Sequence, residues 1–294
     1  MKRFQNNPIL EPVPGHYWQN RLVFNAAALY AGQKVHLIYR AMGDDNVSRL
    51  GYASSSDGYS IDSREAEPVF SPEGSHEDLG CEDPRLSLID GECLMSYTAY
   101  GDPVANIYQV SLTKIALDDL LSGNWKWGER WLPFDGILNK DAVLFPRKIH
   151  GHYVMYHRLE PSLCVAYSDD LKRWCNMRAV MRPRHSSWDS LKIGAAGPPI
   201  ELNEGWLFIY HGVDHNYVYR LGALLIDKDD PSNILYRSEK PILEPTEPYE
   251  RFGKVPNVVF SCGSVMMDGK LLVYYGGADT VVCGAEYDLG ELLP

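Results

Sequence analysis

The sequence has no long hydrophobic run and no pair of closely spaced cysteines. No segment approaches the roughly 18 apolar residues that cross a bilayer, so a membrane-spanning helix is not expected. The six cysteines are scattered without a Cys-x-x-Cys spacing, which argues against a zinc or disulfide framework and favours reduced thiols in the cytoplasm. Residues 1–8 contain cations but no apolar stretch follows them, so no signal peptide is expected.

Positive charge is also scarce. The 294 residues include 28 Lys and Arg against 39 Asp and Glu, which gives a formal net charge of −11. A general nucleic-acid partner is therefore not expected, because neutralising phosphates requires a basic surface. Any anion-binding site in this chain must be a local cluster of cations within an acidic protein.

Helical signal is weak throughout, and the segment at residues 117–121 predicts at most a short turn of helix. What recurs instead is a Gly turn that leads into a strand ending in Tyr. The five strands end at Tyr39, Tyr97, Tyr156, Tyr210 and Tyr274. Dividing 294 residues by five gives about 59 residues a unit. The repeat predicts an all-β chain, residues 1–294 forming a single five-bladed β-propeller domain. A two-sheet sandwich is the competing interpretation, and the even spacing argues against it.

The last unit ends after its third strand. Residues 241–245, a Pro-flanked Ile-Leu-Glu expected to form the fourth strand of the preceding unit, are nearly duplicated by residues 8–12 at the other end of the chain. We therefore expect the N-terminal strand to complete the last blade and close the ring. Proline is tolerated in such an outermost strand, which has a free edge.

The segment Cys81-Glu82-Asp83-Pro84-Arg85 combines an acidic pair, a rigid proline and a cation directly before an apolar run. Proline fixes φ and lacks an N–H, so Pro84 is expected at the first residue of a strand. Asp83 would then lie directly at the start of that strand, where its carboxyl group can face a cavity. The alternative is that Asp83 only caps a turn, as many Asp residues beside Pro do.

Polar residues also mark the starts of the first strands and the ends of the second strands, which share one face of an antiparallel blade. In a propeller these faces together surround one opening of the ring, and a binding or active site at that opening is the default hypothesis. Arg147 and Arg158 belong to the third unit, and Lys192 and His211 to the fourth. We expect these four side chains to lie side by side as an oxyanion pocket, although each alone could form a surface salt bridge.

Eight ordered motifs resemble glycoside hydrolase family 130, and together they cover essentially the whole chain. They are Phe24-Asn25-Ala26-Ala27-Ala28, Tyr39-Arg40-Ala41, Glu82-Asp83-Pro84-Arg85, Lys140-Asp141-Ala142-Val143-Leu144-Phe145-Pro146, Lys192-Ile193-Gly194-Ala195-Ala196-Gly197-Pro198-Pro199, Tyr210-His211-Gly212-Val213, Val255-Pro256-Asn257-Val258-Val259-Phe260 and Tyr275-Gly276-Gly277-Ala278-Asp279. The resemblance implies a five-bladed propeller and β-mannoside phosphorylase activity. A minority of the family are β-1,2-mannosidases.

The resemblance also implies roles for individual residues. Asp83 would be the general acid, protonating the leaving oxygen through the 3-hydroxyl of the bound mannose. The implied phosphate ligands are Arg147, Arg158, Lys192 and His211. The implied mannosyl subsite comprises Asn25, Arg40, Arg85, Asp141 and Asp279.

The reaction expected from these features is inverting phosphorolysis of a β-mannoside to α-mannose 1-phosphate. Phosphorolysis needs one acid and a cationic cradle, whereas inverting hydrolysis needs a second carboxylate as base. Hydrolysis by a β-mannosidase is one alternative, and a non-catalytic sugar-binding propeller is another. Inorganic phosphate is expected as a co-substrate, with no metal or organic cofactor. The β-1,2 or β-1,4 linkage, the acceptor sugar and a homo-oligomeric state stay open.

Overall fold

Antiparallel strands form nearly all of the regular structure. The computed structural model describes residues 1–101 and 107–293. Within these ranges the helical elements are short: α1 (Leu117–Leu121), α2 (Pro248–Arg251) and two 3-10 turns, Ser75–Glu77 and Leu289–Glu291. None of the helices in the described ranges has the length and apolar character needed to span a bilayer. The prediction of an all-β chain is confirmed.

The described ranges contain twenty strands. In chain order they are β1 (Lys2–Arg3), β2 (Leu22–Ala31), β3 (Lys34–Met42), β4 (Ser48–Ser55), β5 (Ser63–Arg64), β6 (Gly80–Ile89), β7 (Glu92–Tyr100), β8 (Tyr108–Ala116), β9 (Lys140–Leu144), β10 (Tyr153–Leu159), β11 (Ser162–Ser168), β12 (Cys175–Met181), β13 (Lys192–Ala195), β14 (Ile200–Glu201), β15 (Trp206–Val213), β16 (Tyr219–Ile226), β17 (Ile234–Arg237), β18 (Val259–Met267), β19 (Lys270–Gly277) and β20 (Val281–Asp288).

Sequential strands pair with each other, as expected for repeated antiparallel units. The sheets have the orders β12-β11-β10-β9, β13-β15-β16-β17 with β14 also on β15, and β1-β20-β19-β18. The remaining sheet joins β2 to β5 with β6 to β8 through a single parallel bridge between Ser48 and Gly80. This order agrees with the predicted repeat of short hairpin-linked strands. The count of five blades stays a prediction.

The N-terminus pairs with the last sheet, as predicted. β1 runs antiparallel to β20, with Lys2 opposite Glu286 and Arg3 opposite Ala285. A further bridge joins Leu10 to Val282. The closing contact therefore extends beyond the predicted segment of residues 8–12 towards the first residues of the chain, and it ties the two ends of the sequence together.

Neighbouring sheets pack through shared apolar clusters. Phe145 of the third unit contacts Trp206 of the fourth with ring centroids 5.3 Å apart, and Tyr156 contacts Phe208 at 5.2 Å, both edge to face. All four rings are buried in one cluster. Edge-to-face contacts of this kind add to the stabilisation from burial alone. This packing fixes the angle between sheets and so fixes the side chains at their common end.

In three of the repeated units the first strand carries an extra residue at a polar position. Asn25 in β2, Asp83 in β6 and Asp141 in β9 each lie at a β-bulge, with φ of 50°, 51° and 54°. Asn and Asp tolerate this left-handed conformation better than most residues, and a bulge re-aims side chains at the edge of a sheet. The bulges therefore turn these three side chains towards the same end of the molecule.

The expectation for Pro84 is wrong in its details. β6 begins at Gly80, so Pro84 lies inside the strand rather than at its first residue. It occupies the bulge between Glu82 and Arg85, where the ladder is interrupted. A missing N–H removes no ladder hydrogen bond at that point, which is why proline is tolerated there.

Candidate active site

A cavity of about 310 Å³ opens at the end of the sheets to which the bulges point. This volume is at the small end of the range for ligand pockets, roughly 300–1,000 Å³. Polar and charged side chains dominate its wall. The lining residues are Asn25, Arg40, Glu82, Asp83, Tyr108, Lys140, Asp141, Arg158, Glu160, Lys192, Tyr219, Val255, Val258, Phe260 and Asp279.

Asp83 is held at one oxygen by two donors. The Asn25 Nδ2 atom donates to Asp83 Oδ1 at 2.8 Å, and the Arg40 Nη1 atom donates to the same oxygen at 3.2 Å. Both partners come from the first unit, whereas Asp83 belongs to the second. The Asp83 side chain is thus fixed by residues from two packed units, and its carboxyl group faces the cavity.

Glu82 connects two cations of the cavity wall. It accepts a hydrogen bond from Arg40, and its other oxygen lies 3.5 Å from Lys140 Nζ. Lys140 also lies over the ring of Tyr108, 4.6 Å from the ring centroid. Consecutive residues of a regular strand face opposite sides. The bulge at Asp83 removes that alternation, so Glu82 and Asp83 both face the cavity.

Asp141 lies at the centre of a buried network of cations. Its Oδ2 atom is 2.7 Å from Arg158 Nη1 and 3.5 Å from His211 Nε2, and its Oδ1 atom is 3.2 Å from Arg85 Nη2. Burial acts to raise the pKa of Asp141, but the charges of Arg158 and Arg85 outweigh it and hold the pKa well below its usual value. Asp141 is therefore a permanent anion that positions Arg158.

A glycine makes this close approach feasible. A Cβ atom on Gly194 would lie 2.5 Å from Asp141 Oδ2 and 2.5 Å from His211 Cε1. Gly194 is in β13, opposite His211 in β15. The absence of a side chain at this position lets the imidazole and the carboxylate lie against the strand.

The pKa of Asp83 is lowered from its usual value, whereas the pKa of Asp279 is raised. Burial would raise the pKa of Asp83, but the charges of Arg40 and Arg85 and the Asn25 hydrogen bond hold it below its usual value. Burial raises the pKa of Asp279 to about 7, opposed by Arg40 and reinforced by the negative charge of Asp83. Neighbouring carboxyl groups of this kind titrate as a pair.

A family model described as β-1,4-mannooligosaccharide phosphorylase, that of glycoside hydrolase family 130, matches residues 1–294. The chain belongs to glycoside hydrolase family 130. It is 44% identical to a 1,2-β-oligomannan phosphorylase of Thermoanaerobacter sp. (strain X514), over 99% of this chain and 98% of that protein. It is 45% identical to a β-1,2-mannobiose phosphorylase of the same organism, over 95% of this chain and 94% of that protein.

A solved structure of a β-1,2-mannobiose phosphorylase from Listeria innocua, in complex with β-1,2-mannobiose, is also similar. The TM-score is 0.86 at 25% identity, over 99% of this chain and 97% of that one. The fold of this family 130 member is therefore the propeller-type fold of its family.

Most of the residues predicted from the family 130 motifs meet at one cavity. Seven of the ten line it: Asn25, Arg40, Asp83, Asp141, Arg158, Lys192 and Asp279. Their roles stay predictions. The other three are Arg85, His211 and Arg147.

Arg85 and His211 lie behind the cavity wall. Arg85 is 1% exposed, and its donors bind the backbone oxygens of Ala195 and Ala196 as well as Asp141. His211 is fully buried, and Arg158 Nη1 lies 3.3 Å from its Nε2. Burial lowers the pKa of His211 to about 3, so the neutral ring can accept a hydrogen bond from Arg158. Both residues support the wall instead of lining it.

The expectation that Arg147 lies beside the other cations is wrong. Its guanidinium forms a two-pronged pair with Glu201, at 3.0 and 2.9 Å, and lies over the ring of Trp206. Trp206 begins β15, and His211 follows five residues later. At about 3.3 Å per residue this separation is about 17 Å. Arg147 follows the last residue of β9, so it lies at the end of the sheet opposite to Asp141 and the cavity.

Sequence reasoning missed several lining residues, chiefly Glu82, Lys140, Tyr108 and Glu160. Glu82 and Lys140 each directly precede a predicted site residue, Asp83 and Asp141. At a bulge the residue before the Asp faces the same cavity as the Asp itself. The position directly before each predicted Asp was therefore the signal that could have identified Glu82 and Lys140. Glu160 and Tyr108 carry no comparable signal.

Proposed function

We propose that this chain is an inverting β-mannoside phosphorylase whose single catalytic domain releases α-mannose 1-phosphate. The observation that supports the proposal is one cavity that contains both an anchored carboxyl group, Asp83, and two adjacent cations, Arg158 and Lys192. The full-length similarity to two phosphorylases supports it independently. We propose that no metal or organic cofactor takes part, and that the enzyme works in the cytoplasm, where its six unpaired cysteines stay reduced.

In the proposed reaction an oxygen of hydrogenphosphate attacks C1 of the mannosyl residue from the face opposite the leaving group. The C1–O bond to the acceptor breaks, and the acceptor oxygen takes a proton that originates on the enzyme. Asp83 would deliver that proton through the 3-hydroxyl group of the mannose. The products are α-mannose 1-phosphate, a shortened acceptor and an enzyme that has lost one proton.

We propose that the proton is held by Asp83 and Asp279 as a pair. Both carboxyl groups line the cavity, and Arg40 interacts with both. Near neutral pH the free enzyme carries this proton on Asp279, whose pKa is about 7. Binding of mannose hydroxyls between the two carboxyl groups would let the pair protonate the leaving oxygen.

The remaining roles follow from position. Arg158 and Lys192 are proposed as the phosphate ligands, because they lie in the wall beside the buried Asp141 that orients Arg158. Asn25 and Arg40 are proposed to bind the mannosyl residue while they orient Asp83. Arg85 and His211 position their neighbours, and no substrate contact is proposed for Arg147.

For the linkage we propose β-1,2. The two relatives that align along nearly their whole length are named for β-1,2-linked substrates. A β-1,4-mannooligosaccharide phosphorylase of Ruminococcus albus aligns over only 52% of this chain. The acceptor side would then take mannose or a short β-1,2-oligomannoside.

The test is incubation of the purified protein with β-1,2-mannobiose and, separately, β-1,4-mannobiose, each with and without phosphate. We expect mannose 1-phosphate from the β-1,2 substrate only when phosphate is present. Release of mannose at the same rate without phosphate would instead identify a hydrolase. No conversion of either disaccharide or of longer oligomannosides would favour a sugar-binding propeller.

A further inference from the structure

A carboxylate lies among the cations that we propose as phosphate ligands. Glu160 lines the cavity together with Arg158 and Lys192. It belongs to the two-residue turn between β10 and β11, and the Pro161 oxygen of that turn accepts a hydrogen bond from Ile193 N at 3.1 Å. The turn of the third unit is thereby fixed against β13 of the fourth, beside Lys192.

The Glu160 carboxylate has free hydrogen-bonding capacity. Its ion-pair partner is Lys192, with Oε1 3.8 Å from Nζ, which is too long for a hydrogen bond. Among the described residues no donor binds either of its oxygens, and its side chain is 52% exposed. Glu160 lines the same cavity as Arg158 and Lys192, so its acceptor oxygens are available to an anion bound there.

A negative charge in an anion site repels its ligand unless the ligand can donate a hydrogen bond. An ionised carboxylate can only accept hydrogen bonds. Near neutral pH inorganic phosphate keeps at least one P–OH group, whereas sulfate has no proton to donate. An acceptor beside two cations therefore favours a protonated oxyanion and disfavours an unprotonated one of the same shape and charge.

We propose that Glu160 selects phosphate over sulfate by accepting a hydrogen bond from the P–OH group of the bound anion. This inference rests on the proposed function, because it places phosphate at Arg158 and Lys192. Another phosphate oxygen attacks C1, so the proton recognised by Glu160 stays on the sugar phosphate until the product leaves. Glu160 is a specificity residue and takes no part in the proton transfer to the leaving group.

The test compares three anions in the wild type, Glu160→Gln and Glu160→Asp at constant ionic strength and pH 7. The KM for phosphate, the KM for arsenate in arsenolysis and the inhibition constant for sulfate are measured with β-1,2-mannobiose. Arsenate keeps a proton as phosphate does, so it serves as the protonated analogue. The control is Glu129→Gln, the same substitution in another Glu–Lys ion pair, Glu129 Oε2 to Lys172 Nζ at 3.0 Å, outside the cavity.

In the wild type we expect sulfate to bind at least about tenfold more weakly than phosphate and arsenate. In Glu160→Gln the ratio of the inhibition constant for sulfate to the KM for phosphate should fall by about tenfold or more. The reason is that an amide can donate a hydrogen bond to sulfate. Glu160→Asp should keep part of the selectivity, and Glu129→Gln all of it.

Parallel changes for the three anions in Glu160→Gln would overturn the inference, since they would mean that Glu160 only adjusts Lys192. Calorimetric titration of the same variants with phosphate and sulfate measures the ratio without catalysis. The two proposals can therefore fail separately: phosphate-independent cleavage contradicts the phosphorylase, and an unchanged binding ratio contradicts the role of Glu160.

Discussion

Asn25 donates a 2.8 Å hydrogen bond to Asp83 across the boundary between two units, and both residues lie at bulges with φ near 50°. Because two separate strands aim these side chains at each other, the carboxyl group is fixed before substrate arrives. Such preorganisation places a reacting group without an ordering cost during the reaction.

Asp83→Asn should slow phosphorolysis by orders of magnitude while the protein stays folded. Loss of a general acid costs about 10²- to 10⁴-fold in rate. Asn also tolerates the left-handed conformation of this position, so the backbone should not change. The matched control is Asp90→Asn, at φ 52° in the turn after β6, which should keep wild-type kcat. Equal losses in both variants would mean that the effect is conformational.

Lys192→Met and Arg147→Met should have very different effects on the KM for phosphate. Lys192 lines the cavity beside Arg158, so its loss should raise the KM for phosphate by about tenfold or more. Arg147 pairs with Glu201 at the end of the sheet opposite to the cavity, so its loss should leave that KM within about twofold and cost at most about 1 kcal/mol of stability. Phosphate titrations at saturating mannobiose measure both values. A raised KM for phosphate in Arg147→Met would contradict the placement of the anion site.

The repeated strands could be predicted because the signal for each is local. A Gly turn and a strand ending in Tyr recur within each unit, and the duplicated segment at residues 8–12 marks the closing contact with β20. Asp83 and Arg158 could be predicted for the same reason, since each lies at a strand position that the repeat assigns to one end of the sheets.

Arg147 and Glu82 show what the sequence did not reveal. The partner of Arg147, Glu201, is 54 residues away, and no local pattern indicates that pair. Glu82 would face away from Asp83 in a regular strand, and only the bulge brings both to the cavity. Side-chain direction at an irregular strand position depends on one inserted residue, which a period-two pattern does not report.

Phosphorolysis should require one proton on the Asp83 and Asp279 pair, whereas synthesis should require the pair without it. With Asp279 protonated below about pH 7, kcat for phosphorolysis should fall as the pH rises above 7. The rate of synthesis from mannose 1-phosphate and mannose should rise over the same range. Profiles in both directions measure this at saturating substrate. The same trend in both directions would contradict a shared catalytic proton.

Asp279→Asn should stabilise the protein most at alkaline pH. The folded-state pKa of Asp279 is about 7, whereas the ordinary pKa of an Asp side chain is 3.8. Between these values the native state binds more protons than the unfolded state, so stability is lost as the pH rises through that window. Removing the carboxyl group should therefore change the melting temperature little at pH 4 and raise it above pH 7. Asp268→Asn, at φ 49° in the exposed turn between β18 and β19, is the control and should show no such pH dependence.

Gly194→Ala should damage the phosphate side of the cavity without any change in its charged groups. The new methyl group would meet Asp141 Oδ2 and His211 Cε1 at 2.5 Å, and both are buried and held by Arg158. Overpacking at such a site costs about 1–3 kcal/mol, and any shift of Asp141 moves Arg158 with it. We therefore expect a lower melting temperature together with a raised KM for phosphate. Gly290→Ala, where nothing lies within 4 Å of the added Cβ, should change neither. A Gly194→Ala enzyme with a lower melting temperature and an unchanged KM for phosphate would contradict this prediction. It would mean that a shift of Asp141 does not move Arg158 in the anion site.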